Sequence, residues 1–127
     1  MTLVERLAAF TEVRHADLPP AVVAERKRLL LDSIGAALAE TESPKGRIGI
    51  DYGRLQGATG RATVIGTGHR LNIFGAAFAN AELINALDMD AILPPGHVTP
   101  YVLPGALAVA EERALSGQEV LRAIAVA

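Results

Sequence analysis

The chain has 127 residues, half of them hydrophobic, a formal net charge of −2 and no cysteine. That length suits one domain, the apolar content excludes a disordered chain, and the slight negative charge gives no electrostatic case for nucleic acid or an anionic membrane as partner. Without cysteine there are no disulfides, thiolate zinc sites, cysteine-held iron–sulfur clusters or cysteine nucleophile.

Aromatics are only 4% and Trp is absent, so small aliphatic residues dominate, which suits packed helices better than a β-sandwich. The spacing of Val4, Leu7, Ala8 and Phe10 predicts a helix over 3–13. Asp17-Leu18-Pro19-Pro20 is a break, with proline well placed to open the next helix. That helix is expected over 20–40, where Val23, Leu30, Ile34, Ala37 and Leu38 form a stripe and Arg26, Lys27 and Arg28 a solvated face. Residues 41–49 read as a polar, glycine-bearing connection, 50–55 as a short helical piece, and 61–66 as one short extended segment. Gly66-Thr67-Gly68 is a turn without the further glycine of a dinucleotide fingerprint or the lysine of a P-loop.

Residues 71–87 form the most apolar predicted helix, greasy around nearly its whole circumference and therefore interior. A proline-rich loop is expected over 88–99 and another helix from about 102–104 to 115, whose Glu111, Glu112 and Arg113 make an exposed turn. Ser116-Gly117-Gln118-Glu119 is a capping box that opens a last helix. That helix runs apolar and uncapped to Ala127, which points to the N-terminal piece of a longer protein. The fold class expected is mainly α, with a partial helical domain over 1–127.

Glu5, Arg6 and Glu12 interrupt any signal-like apolar run, so a cytoplasmic location is expected. The uncharged stretch 91–110 has the length of a membrane span but holds Pro94, Pro95, Pro100 and Pro104, which a spanning helix would not tolerate. No membrane association is expected.

The apolar helix carries Asn80, Glu82, Asn85 and Asp88, polar residues out of place in a buried element. Asp88 falls at the helix C-terminus, where the dipole disfavours an anion, so a partly buried carboxylate there needs a partner. His97, across a loop stiffened by Pro94 and Pro95, is the nearest one in sequence. A carboxylate beside an imidazole fixes its tautomer and favours its charged form, an arrangement suited to general acid/base chemistry. The bland alternative is that Asp88 and Asp90 end the helix and cap the turn, with His97 a hydrogen-bonded core residue. A cation site from Asp88, Asp90 and His97 has no dedicated coordination motif behind it, and no metal is assigned. His15 and His69 lie in polar contexts and are expected on the surface.

Four segments together resemble the N-terminal part of the MmgE/PrpD family, which includes 2-methylcitrate dehydratase, cis-aconitate decarboxylase and iminodisuccinate epimerase. They are Asp17-Leu18-Pro19 with Leu30-Leu31-Asp32-Ser33-Ile34-Gly35-Ala36-Ala37-Leu38-Ala39; Val64-Ile65-Gly66 leading into Ala76-Ala77-Phe78-Ala79-Asn80; Asn85-Ala86-Leu87-Asp88-Met89-Asp90; and Gly96-His97 followed by Pro104, Ala106-Leu107-Ala108-Val109-Ala110-Glu111 and Ser116-Gly117. Their order and spacing cover essentially the whole chain.

The resemblance implies a large helical domain, completed by a C-terminal part of a longer chain, and a separate α+β domain. It also implies a homodimer and a cofactor-free lyase or isomerase reaction on a small polycarboxylate, by proton abstraction next to a carboxylate. Asp88 matches the family's acidic active-site position and His97 its first active-site histidine, so both are the catalytic candidates; Asn85 and Asp90 are substrate-binding candidates. The sequence departs from the family at Asn85, usually histidine, at Ala91, usually acidic, at Ile92, threonine in some members, and at Val98, usually proline. The second histidine, the lysine and the tyrosine of the family's site lie beyond residue 127, so the isolated chain is expected to be inactive. The alternative reading is a non-catalytic helical assembly module, or a degenerate family member, that pairs with itself or with a complementing C-terminal chain.

Overall fold

A computed structural model describes residues 1–127, and in it six helices alternate with two small hairpins. The helices are α1 (Leu3–Thr11), α2 (Pro20–Ala39), α3 (Pro44–Gln56), α4 (Ile73–Asn85), α5 (Thr99–Glu112) and α6 (Gly117–Val126). Between α3 and α4, β1 (Ala62–Thr63) pairs antiparallel with β2 (Arg70–Leu71); between α4 and α5, β3 (Ile92–Leu93) pairs with β4 (Gly96–His97). The fold is mainly α, as expected. No helix is long and apolar enough to cross a membrane.

Local chemistry explains most boundaries. Thr2 with Glu5 and Ser116 with Glu119 form reciprocal capping boxes at α1 and α6. Proline occupies the first turn of α2, α3 and α5, where its missing amide donor is no loss. Asn72 accepts from the Gly75 amide to start α4, while its own amide donates to the carbonyl of Gln56 at the end of α3. One side chain thus ties two helix ends together and moves the start of the apolar helix from the expected residue 71 to Ile73.

Three sequence expectations are corrected. Residues 41–49 are not simply a connection, because α3 begins at Pro44 under a Ser43 cap and takes in the expected short piece 50–55. The extended segment near 61–66 is one strand of a hairpin and has a second hairpin for company, 30 residues on, inside what reads as a proline-rich loop. Helix α5 starts at Thr99, earlier than the expected 102–104, with Pro104 inside it.

Helix α4 is the centre of the molecule and packs against α3, α5 and α2. Its Ala76, Ala79, Leu83 and Ile84 are fully buried and join Ala37, Ile50, Val64, Leu71 and Ala108 in one cluster. The approach of α3 to α4 is unusually close because Gly46, Gly49 and Gly53 line one face of α3. A Cβ on Gly53 would sit 2.5 Å from the Gly75 carbonyl oxygen, and one on Gly49 would sit 2.6 Å from Glu82 Cβ. These glycines look like helix breakers in sequence and act as a contact face in the fold.

Asn80, out of place in an apolar helix, is accounted for by the first hairpin. Its carbonyl oxygen accepts from the Ile65 amide at 2.9 Å and its amide donates to the Thr63 carbonyl at 2.9 Å. Both backbone groups are half-buried and find their partner in this side chain. Glu111, expected in an exposed turn, reaches the other side of the same strand and accepts from the Thr63 amide and hydroxyl.

The outer surface is less complete. Only 24 of 127 residues are buried, so much of the apolar half of the sequence faces outward. Helix α1 buries no residue, and its Leu3, Val4, Leu7 and Phe10 are all exposed. Ile48 and Leu55 of α3 and Phe74 of α4 are exposed as well, beside a Tyr52–Phe78 ring pair with centroids 4.7 Å apart.

Candidate functional site

The four residues singled out in the sequence converge at the C-terminal end of α4. Asn85 closes the helix. Asp88 adopts a left-handed backbone conformation with φ 56° and donates its amide to the Asn85 carbonyl. Aspartate is among the few residues that tolerate this conformation. The reversal folds Asp90 back beneath the helix end. The β3–β4 hairpin, with Ile92 opposite His97 and the Val98 amide bonded to the Ala91 carbonyl, then carries His97 back over Asp90.

Asp90 is the hub. Its carboxylate is fully buried (0% exposed), and each oxygen has a partner. Oδ1 accepts from the Asn85 amide at 3.1 Å, and Oδ2 lies 3.0 Å from His97 Nδ1. An ionised carboxylate can only accept, so with Asp90 ionised the donor of this bond is Nδ1 of the ring. The other ring nitrogen, Nε2, lies 3.4 Å from Asp88 Oδ1, too long for a strong hydrogen bond. Asp88 is 80% exposed and the His97 ring 31% exposed, so the Nε2 side opens to solvent.

The sequence expectation is therefore right about the company and different about the pairing. Asp88 was expected to be the partly buried partner that fixes the imidazole; it stands in water, and Asp90 holds the ring from inside. Asn85 and Asp90, the substrate-binding candidates, have their polar atoms engaged by protein groups. The carbonyl oxygen of Asn85 accepts from Lys45 Nζ at 2.8 Å. Lys45, on α3 and 40 positions away in sequence, is the member of the cluster that sequence reasoning missed. Its only signal is a cation, one of two with Arg47, in a segment that reads as a connection.

Asp88, Asp90 and His97 place one donor atom each within 4.8 Å of one another, a spacing a cation could use. The same spacing follows from the hydrogen bonds just described. Taking His97 Nδ1 or Asp90 for a metal would break a buried contact, so the group reads as a hydrogen-bonded cluster.

The other charged groups are structural or remote. Arg14 donates two bonds to Asp17 and holds its carboxyl below the usual carboxylate range, and Arg28 does the same for Glu25. Both are surface ion pairs, worth little to stability. Arg61 and Arg70 lie on the first hairpin, where Arg70 donates to the Arg61 carbonyl. His15 and His69, expected on the surface, are half-buried. His69 lines a polar cavity of about 400 Å³ with Thr41, Arg47 and Asp51. His15 borders an apolar groove beside Leu30 and Leu121.

A histidine held at Nδ1 by a buried carboxylate, with Nε2 directed outward, can take up or deliver a proton at Nε2. No curated protein and no solved structure matches the chain. The sequence profile described as the MmgE/PrpD N-terminal domain matches residues 5–127, and the chain therefore belongs to the MmgE/PrpD family.

Proposed function

We propose that this domain contributes an acid/base group to a lyase or isomerase that acts on a small polycarboxylate, by proton abstraction next to a carboxylate. The observation that carries the reading is the His97 ring, fixed at Nδ1 by buried Asp90 and open at Nε2. In this reading His97 moves the proton. Asp88 borders the same nitrogen and stabilises positive charge on the ring when Nε2 is protonated. Asp90 and Asn85 are positioning residues that hold the ring, in place of the direct substrate contacts first expected of them. No cofactor enters the scheme.

The site is open on its Nε2 side, and open sites lose the low-dielectric setting that makes fixed charges effective. A polycarboxylate also needs several cationic partners, and Lys45 is already bonded to Asn85. We therefore place the finished site at a junction with further residues, among them the second histidine, lysine and tyrosine of the family. They would come from a longer chain, a complementing chain or a homodimer partner. The 127-residue chain alone should not turn over cis-aconitate, 2-methylcitrate or iminodisuccinate. In a protein with the completed site, His97→Ala should abolish turnover; activity retained within about twofold, far below the usual acid/base contribution, would remove His97 from the mechanism.

A second reading has its own support. The exposed apolar residues of α1, with Ile48, Leu55 and Phe74, fit a helical assembly module without chemistry. Sedimentation of the purified chain tests this reading: a stable monomer across the micromolar range would count against it.

A further inference from the structure

We infer that the outer face of the α3–α4 pair is where a second copy of this chain docks, antiparallel, about a two-fold axis. The inference rests on the reading of the exposed apolar residues as an assembly surface. It adds which face is used and what covers it.

The face is built from two rows of side chains. Ile48, Tyr52 and Leu55 recur at steps of four and three along α3, and Phe74 and Phe78 at a step of four along α4, so each row lies on one side of its helix. The two helices run antiparallel, because Gly53 meets Gly75 towards one end and Gly49 meets Glu82 towards the other. Tyr52 and Phe78 touch with ring centroids 4.7 Å apart, which puts both rows on the same side of the pair. None of the five is covered: Leu55 is 82% exposed, Phe74 78%, Ile48 71%, Tyr52 47% and Phe78 39%.

The size of the patch calls for a folded partner. At the 150–250 Å² that a large side chain can bury, those fractions leave roughly 500–700 Å² of apolar surface in one place. The largest patch on a typical monomer is about 300–600 Å², and each partner gives roughly 800 Å² to a stable interface.

The shape of the patch selects a second copy. Leu55 and Phe74 project at one end of the face. Towards the other end Lys45, Ile48, Gly49, Tyr52, Phe78 and Glu82 line a hollow of about 390 Å³, where Gly49 contributes no side chain. Projections at one end and a hollow at the other make the face complementary to itself. A two-fold axis running across both helices at the level of Tyr52 and Phe78 lays α3 over α3 and seats the projections of each copy in the hollow of the other. The hollow ends at Lys45, whose ammonium donates to Asn85 at 2.8 Å. Docking in this sense therefore brings Leu55 and Phe74 of the second copy against the α3 side of the candidate site.

Sedimentation equilibrium of the 127-residue chain tests the inference over about 1–100 μM, where an interface of this size forms at its weakest. The unmodified chain should pass from monomer to dimer within that range. Phe74→Asp and Leu55→Lys should each raise the dissociation constant about tenfold or more, the loss expected when a central contact is removed. Both positions are exposed, and aspartate in a first turn and lysine in a last turn suit the helix dipole. Leu7→Glu on α1 is the control and should change the constant by about twofold or less. Circular dichroism and thermal unfolding check that each variant is folded. The chain has no cysteine, so single cysteines report the arrangement. In an equimolar mixture, Ile48→Cys chains should form disulfides with Leu55→Cys chains faster than either does with its own kind.

A chain still monomeric at about 100 μM overturns the inference and leaves the face to a different protein. So does a dimer that Phe74→Asp and Leu55→Lys leave intact, or one in which like cysteines join faster than unlike. Association lost in Leu7→Glu alone overturns it too but keeps the assembly reading, with α1 as the surface, so the two failures are told apart.

Discussion

Helices α1 and α4 are made of similar side chains and end up in opposite surroundings. Both are short and carry Ala, Leu and Phe, but α4 buries six residues and α1 buries none. The one with the clearer amphipathic stripe is the bare one. Leu3, Leu7 and Phe10 share a face and stay more than half exposed, whereas α4 is apolar nearly all round and is covered on three sides. Periodicity announces that a face wants cover; it does not say that this stretch of chain supplies the cover. What gives α4 its neighbours is close approach. Glycines at positions 46, 49 and 53 let α3 lie against it, and Asn80 and Glu111 hold a hairpin across its other side.

The contrast can be tested from its strongest effect downward. Leu83 is fully buried in α4 and Leu7 is 57% exposed in α1. Leu83→Ala should cost about 2–5 kcal/mol in urea unfolding, whereas Leu7→Ala should change stability by less than about 0.5 kcal/mol. If the two costs came out alike, α1 would have a cover in solution that its exposed face does not reveal.

A pair of glycines sharpens the point. Gly53→Ala places a methyl group 2.5 Å from the Gly75 carbonyl oxygen and should destabilise by roughly 1–3 kcal/mol through overpacking. Gly35 lies inside α2 with nothing within 4 Å of a built Cβ. Gly35→Ala should therefore stabilise the chain by about 0.4–1 kcal/mol, because alanine loses less backbone freedom on folding. Calorimetry of the two variants should move the melting temperature in opposite directions.

The smallest effect is expected at the cap of α6. The Ser116 amide and hydroxyl each donate to the Glu119 carboxylate at 2.9 Å and hold its carboxyl below the usual range. A carboxyl whose folded value is depressed stabilises the fold at pH above its unfolded value, about 4.3, and that contribution fades as pH falls through the folded value. Glu119→Gln should therefore lower the melting temperature slightly at pH 7. The difference from the unmodified chain should vanish in acid. A difference that persists well below pH 3 would mean that the charge on Glu119 is not what holds the cap.

Much of the fold is legible in residue order. The Ser116–Glu119 box, the Pro19-Pro20 entry to α2 and the apolar run of α4 are local signals, each decided within one or two turns of chain. The Thr2–Glu5 box is a local signal of the same kind. Helix α3 is legible only over 50–55, because glycine is a poor helix former and reads as a loop residue. Its Ser43 cap, Pro44 and three- and four-residue glycine spacing are the signals that mark it. The second hairpin is hidden in sequence because Pro94 and Pro95 read as a loop, and they do form its tip.

The candidate site divides the same way. The sequence by itself determined which groups are present, namely Asn85, Asp88, Asp90 and His97, and that they fall within reach of one another along a short stretch of chain. Only the tertiary structure decided which of the two aspartates holds the histidine. Asp88 and Asp90 are the same residue type two positions apart, so no composition or spacing rule separates them. The left-handed turn at Asp88 sends one carboxylate into water and the other beneath the helix end, where burial makes an unpaired charge costly and a paired one fixed. The tertiary structure also brought Lys45 to Asn85 from 40 positions away, a contact that depends on how closely two helices pack and so on glycines that no local pattern connects to the site.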